Sequence, residues 1–385
     1  MTGRVGAEAR IRKALETGLP PSGLPGVVGA AVTADGSEVV VAVGVRGVAD
    51  DAPMTADTMF WIASMTKAIT SVVALQLVAE GRIGLDDPVG PWLPELAAPS
   101  VLEGFWPDGA PRLRPARGAV TLRRLLTHTS GLGYDFTSGE LTQWTARTGA
   151  TAAGRDPPAG LPLLFDPGEG WLYGVGIDFA GRLIEALTGQ DLAAALAERI
   201  FAPLAMTSTA FGLDADARAR LAQMHARLPD GALAPIPFAM PDPPYFQMGG
   251  GGLHSTATDY LRFLRALLGH GPPLLPPAMM ALVTQNQVTA PRPGALVSAA
   301  PHLSHDFDAF PGAPTGWSLA FLVNLEPGPA GRAAGSLAWA GLSNCYYWLD
   351  PAQGVAGVLL AQTLPFGDPQ ALALFHRFER AVYGA

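Results

Sequence analysis

An α/β fold of the α+β type is what the sequence predicts: an antiparallel sheet contributed by both chain ends, flanked by helices, with a mostly helical domain inserted between them. Three observations carry this reading. β-rich runs cluster at residues 27–46 and again beyond residue 317. Helical stretches occupy most of the chain between, an order that folds as a sheet built from the two termini around an insertion. With 385 residues, 49% of them apolar and 15% charged, the chain can bury a full core in one large or two joined domains. The expected boundaries are 1–84 with 250–385 for the sheet part and 85–249 for the helical insertion.

In chain order, residues 27–46 read VVGAAVTADGSEVVVAVGVR, two β-rich runs around Asp35-Gly36, a hairpin signal. Helices are expected at Leu122–Leu126, Ile177–Leu187, Asp191–Ile200 and Thr258–Leu268. Trp317–Val323 reads as one strand. Cys345–Leu349 and Val355–Thr363 flank Asp350-Pro-Ala-Gln-Gly354 as a second hairpin, and Pro369–Val382 reads as a helix covering the sheet. Glycine (46) and proline (36) concentrate around 98–118, 150–170, 228–246 and 289–316, which read as long loops of the kind that border sites. No internal repeat is present.

Composition excludes several classes of function. A net charge of −8 without a basic run argues against nucleic acid. One cysteine, Cys345, leaves no internal disulfide and no thiolate cluster. His302, His305, Asp306 and Asp308 match neither H-E-x-x-H nor a common zinc spacing, so neither metal nor cofactor is expected. Charges at Arg4, Glu8, Arg10, Arg12, Lys13 and Glu16, with no apolar run after them, argue against a signal peptide. The longest apolar run is too short for a bilayer. The expectation is a soluble cytoplasmic enzyme with a small-molecule substrate; no feature of the sequence indicates its oligomeric state.

Of the 25 basic residues only Lys13 and Lys67 are lysines. Arginine holds its proton inside proteins, whereas lysine can be tuned to release it. Lys67 opens a run without charge as far as Glu80, the pattern of a buried helix. An ammonium there must be paired or neutral. Ser64 precedes it by three residues, within side-chain reach on a helix, at the N-terminal end that favours a developing oxyanion. Serine is also a preferred N-cap, which by itself would account for the residue.

S-M-T-K at 64–67, followed by the apolar helix and Glu80-Gly-Arg-Ile-Gly-Leu-Asp-Asp-Pro88, resembles the serine β-lactamase and penicillin-binding-protein superfamily. Leu126-Thr-His128-Thr-Ser-Gly131-Leu, Phe165-Asp-Pro-Gly168-Glu-Gly-Trp171-Leu-Tyr173 and Gly249-Gly-Gly-Gly252-Leu-His-Ser255-Thr resemble further stretches of it, so the likeness covers nearly the whole chain. It implies a serine β-lactamase-like fold. Tyr173 matches the tyrosine of the family's Y-x-N motif, but Val175 stands in place of the asparagine. Trp339-Ala340-Gly341 stands where β-lactamases carry K-T-G. These departures remove polar partners that a β-lactam or D-Ala-D-Ala peptide needs, and the combination is most similar to the β-lactamase-like carboxylesterases of the family VIII type. Arg332 is near enough in sequence to replace the missing charge.

What the resemblance implies is acyl transfer through a serine ester. Ser64 attacks, and Tyr173, assisted by Lys67, accepts the proton and returns it to the leaving alcohol. The split between lysine and tyrosine is open. The N–H groups of Ser64 and Leu342 form the oxyanion hole; Trp339, Gly341 and Tyr134 contact substrate; His128 is structural. Short-chain neutral esters are the expected substrates. The alternatives are a β-lactamase or D-Ala-D-Ala-type amide hydrolase, an acyltransferase to an alcohol, and a catalytically inactive binding protein of the same fold. An α/β-hydrolase is excluded, because no serine has glycine at both −2 and +2.

Overall fold

Eight strands form one sheet in which every pairing is antiparallel. The N-terminal end supplies β1 (Gly26–Val32), β2 (Glu38–Gly47) and β3 (Asp50–Pro53). The C-terminal end supplies β4 (Thr315–Trp317), β5 (Leu322–Asn324), β6 (Leu337–Gly341), β7 (Cys345–Asp350) and β8 (Val355–Leu360). Their spatial order is β4-β5-β6-β7-β8-β1-β2-β3. The β8–β1 pairing, with Val28 opposite Leu360, joins the two ends of the chain, as the sequence predicts. The computed structural model describes residues 2–150, 158–238, 240, 246–288 and 293–384. Parts of three expected loops, at 151–157, at 239 and 241–245, and at 289–292, lie outside the described residues.

Helices α1 (Thr2–Ser22), α2 (Thr66–Ala79), α3 (Gly176–Thr188), α4 (Ala257–Leu267) and α5 (Pro369–Tyr383) are the longer ones that build the core. Side-chain alternation along β7 separates the two faces of the sheet. Trp348 packs on Phe375 and Phe378 of α5, and Tyr346 stacks on Phe375. Tyr347, between them, packs on Tyr260 of α4. With both faces covered, β1 is buried at every residue. Among the described residues no helix is long and apolar enough to cross a membrane.

Three local expectations change. Helix α1 was not expected; its Ala7, Ile11, Leu15 and Leu19 recur every four residues and are all buried, each of the larger ones contributing about 1.5–3 kcal/mol. The charges between them obscure that stripe. Trp317–Val323 is not one strand but parts of two, β4 and β5, paired as a hairpin. Ser318 breaks the run, because its Oγ accepts the N–H groups of Ala320 and Phe321 at 3.3 and 3.0 Å. The segment 98–118 is not an open loop but holds a hairpin, Ser100–Phe105 with Pro111–Pro115. Its prolines sit at strand ends, where a missing N–H is tolerated.

That hairpin is fastened by Asp166. The buried carboxylate accepts from the Arg114 guanidinium at 2.7 and 2.9 Å, and from the Arg117 backbone N–H and Nε at 2.8 Å each. Arg114 first, then the Arg117 backbone, hold this carboxyl far below the usual range. A depressed folded-state value stabilises the protein fully above the unfolded carboxyl pKa of about 3.9 and progressively less as pH falls below it. Asp166→Asn is therefore expected to melt below wild type at pH 7, with the gap narrowing between about pH 4 and pH 2. Thermal melts across that range check the sign; a gap that widened in acid would refute it.

Candidate active site

A short strand, Phe60–Trp61, pairs with His254–Ser255 and delivers the chain into a 3₁₀ turn, Ala63–Met65, ahead of α2. Ser64 thus stands in the turn before the helix and not at its N-cap, which is Met65. Ala63 adopts a left-handed backbone with φ +46°. For an alanine this costs about 1–2 kcal/mol and must be held by its surroundings. Thr66 Oγ1 donates to the Ala63 carbonyl at 2.7 Å and itself accepts from the Leu253 N–H at 3.1 Å. The neighbouring strand end comes close: a Cβ on Gly341 would lie 2.3 Å from the Ile62 carbonyl oxygen, so only glycine permits that approach.

Lys67, 2% exposed, has three oxygen neighbours. Its Nζ lies 3.2 Å from Ser64 Oγ and 3.0 Å from the Tyr134 hydroxyl, and donates to the Gly250 carbonyl at 2.6 Å. The same amine faces the Tyr173 ring at 4.7 Å from its centroid. The Tyr173 hydroxyl accepts from Trp339 Nε1 at 3.1 Å. Trp339 is opposite Tyr347 in the β6–β7 register and therefore projects from the α4 face of the sheet, toward Trp317 and Tyr173. The indole N–H thus gives the Tyr173 hydroxyl a neutral donor.

These groups surround one cavity of about 340 Å³. Ser64, Tyr134, Tyr173, Trp339, Gly341 and Leu342 line it together with Trp61, Phe238 and Met240. None of the described lining residues is charged. Every site residue expected from the sequence is therefore at or against a single cavity.

One reading is corrected, that of Arg332, and two residues, Tyr134 and Asp178, do more than the sequence indicates. Tyr134 does more than shape the pocket: its hydroxyl, buried, bridges Lys67 and Asp178, donating to Asp178 Oδ2 at 3.3 Å. Burial first, then the Asp178 charge, push this phenol well above its usual range, so it stays protonated at neutral pH. Arg332 does not replace the missing charge. It is buried on the α5 face of the sheet, paired with Glu379, with its guanidinium 5.2 Å over the Trp348 ring. Asp178, buried in the first turn of α3, was not singled out. An acid there reads as an ordinary complement to the helix dipole; its signal was its place in the otherwise apolar run Val175-Gly-Ile-Asp-Phe-Ala. His128 is buried, accepts from the Gly174 N–H at 3.4 Å and packs 4.9 Å from the Tyr173 ring. Burial, and then the Lys67 charge, hold its imidazole well below the usual range and keep it neutral.

Comparison with known proteins identifies the family and the fold. The Beta-lactamase family model matches residues 11–381. Monacolin J acid methylbutanoyltransferase of Aspergillus terreus is 35% identical over 348 residues, covering 86% of this chain and 83% of the relative. Lovastatin esterase of Penicillium rubens is 32% identical over 349 residues, covering 86% of each. A mutant simvastatin synthase from Aspergillus terreus superposes with a TM-score of 0.86 at 33% identity, over 98% of this chain and 94% of that one. EstCE1, a hydrolase with promiscuous acyltransferase activity, shares the fold at a TM-score of 0.77 and 21% identity over the full length of both chains. With its S-x-x-K turn, its sheet drawn from both chain ends and a family match over nearly its whole length, this chain belongs to the Beta-lactamase family.

Proposed function

We propose that the protein is a serine esterase that cleaves neutral, short-chain esters through an acyl-enzyme on Ser64. The observation that carries this is the uncharged cavity around Ser64, in which Trp339 takes the place of a cation. A substrate carboxylate buried there would be unpaired, at a cost of several kcal/mol. A neutral ester leaves no charge stranded, and its alcohol is a better leaving group than a peptide amine.

In the reaction, Ser64 Oγ bonds to the acyl carbon as its O–H bond breaks, and the Lys67–Tyr173 couple takes the proton. Collapse of the tetrahedral intermediate expels the alcohol oxygen, which receives that proton through the Tyr173 hydroxyl held by Trp339. The Ser64 and Leu342 N–H groups serve the oxyanion. Water then repeats the cycle on the acyl-enzyme. The test is matched kcat/KM values: p-nitrophenyl butyrate is expected to exceed a chromogenic cephalosporin by on the order of a hundredfold or more. A value for the β-lactam equal to or above that for the butyrate overturns the esterase reading.

A second reading, transfer of the acyl group to an alcohol, has support of its own. The relatives include an acyltransferase and an esterase by name, and the cavity has room beside a short acyl group. Adding apolar alcohols to the butyrate assay and measuring the new ester separates transfer from hydrolysis.

A further inference from the structure

We propose that Asp178 is a positioning residue for Lys67: a buried carboxylate that fixes the amine through the Tyr134 hydroxyl and the Gly250 peptide and balances its charge as an ammonium. The inference rests on the role given above to Ser64 and Lys67. The three oxygens around the Lys67 amine belong to Ser64, Tyr134 and Gly250, and none is an anion in the resting site. A buried ammonium with neutral partners alone is costly. Asp178, 1% exposed, stands behind two of the three. Its Oδ2 accepts from Tyr134, and its Oδ1 accepts the Gly250 N–H at 2.9 Å, while the Gly250 carbonyl accepts from Lys67. A side chain on residue 250 would close this passage, because a Cβ there would lie 2.4 Å from Asp178 Oδ2.

The two charges act on one another: burial raises the Asp178 carboxyl, and Lys67 is the first of the groups that lower it. The other titratable groups turned toward this cluster are Tyr134 and Asp135 on one loop, and Tyr173 from the segment before α3. His128 also feels Lys67, and is neutral. The direction of the effect follows. Removing the carboxylate destabilises the ammonium, so Lys67 gives up its proton at lower pH. Whether turnover needs Lys67 as amine or as ammonium, the limb of the pH–rate profile that it governs moves to lower pH in Asp178→Asn.

Because the chain has only two lysines, the test can be read directly. Labelling the full chain with ¹³C-lysine yields two ε-carbon signals, Lys67 and the exposed Lys13, which serves as internal control. In Asp178→Asn, which keeps the shape and an acceptor for the Gly250 N–H, the Lys67 signal is expected to titrate at lower pH than in wild type. Lys13 should not move, and kcat should fall about ten- to a hundredfold with a smaller change in KM. A Lys67 midpoint within about 0.3 unit of wild type overturns the proposal. Should circular dichroism show Asp178→Asn unfolded, Asp178→Ser is titrated instead, with the same expectation. The reading of Ser64 stands or falls separately, on whether Ser64→Ala is inactive, since the lysine titration requires no turnover.

Discussion

Ser64→Ala is expected to abolish turnover while leaving the fold intact. Removal of a serine nucleophile in hydrolases of this kind of chemistry lowers kcat by on the order of 10⁶. The structure favours an undisturbed fold, because Ser64 is half-buried and its hydroxyl meets the Lys67 amine, which keeps Tyr134 and Gly250 as partners in the variant. The left-handed Ala63 is held by Thr66 and not by Ser64. Purified Ser64→Ala protein retaining more than a few per cent of activity would remove Ser64 from the mechanism. A fluorophosphonate adduct found by mass on the Ser64 peptide of wild type, and missing in the variant, gives an independent check.

Tyr173→Phe is the next largest effect expected. The ring keeps its packing on His128, Tyr134 and Trp339. The hydroxyl proposed to exchange a proton is gone, and loss of such a group typically costs about 10²–10⁴ in rate. The Trp339 N–H also loses its acceptor, a buried donor left unpaired at about 1–3 kcal/mol. A small drop in melting temperature should therefore accompany a large drop in kcat. Full activity in the phenylalanine variant would return Tyr173 to an ordinary packed aromatic. Lys67→Arg should be comparably damaging, because a guanidinium does not deprotonate and cannot fit three oxygens spaced for a single amine.

Much of this is legible in the sequence. The two hairpins are marked by β-rich runs around the turns at Asp35-Gly36 and Asp350–Gly354, and the observed strands depart from them by only a few residues. Helix Leu122–Leu126 was bounded correctly, and α3 and α4 to within one residue at each end. Such features are local: their hydrophobic period and turn residues lie within a few positions of each other. Ser64 and Lys67 were legible for the same reason, since a spacing of three on or beside a helix is itself a distance.

What sequence alone determined, then, was the sheet from two ends, the S-x-x-K pair, and the loss of a cationic residue at Trp339. Only the tertiary structure decided how the distant polar groups divide their partners. Tyr134, Asp178 and Gly250 are 44 to 116 residues apart along the chain, and no spacing rule links them. They meet because α2 and α3 pack side by side and the 249–252 segment crosses between, tied to α2 by Thr70 Oγ1 donating to the Gly249 carbonyl at 2.8 Å. Arg332 shows the converse. Seven residues from Trp339 in sequence, it ends on the opposite face of the sheet, because it lies in the irregular segment before β6, which packs on α5 through Gly331 against Tyr383 and Arg332 on Glu379. Burial then decides chemistry that residue type leaves open: it keeps the Tyr134 phenol protonated and His128 neutral, and it sets the Lys67 amine among the oxygens of Ser64, Tyr134 and Gly250.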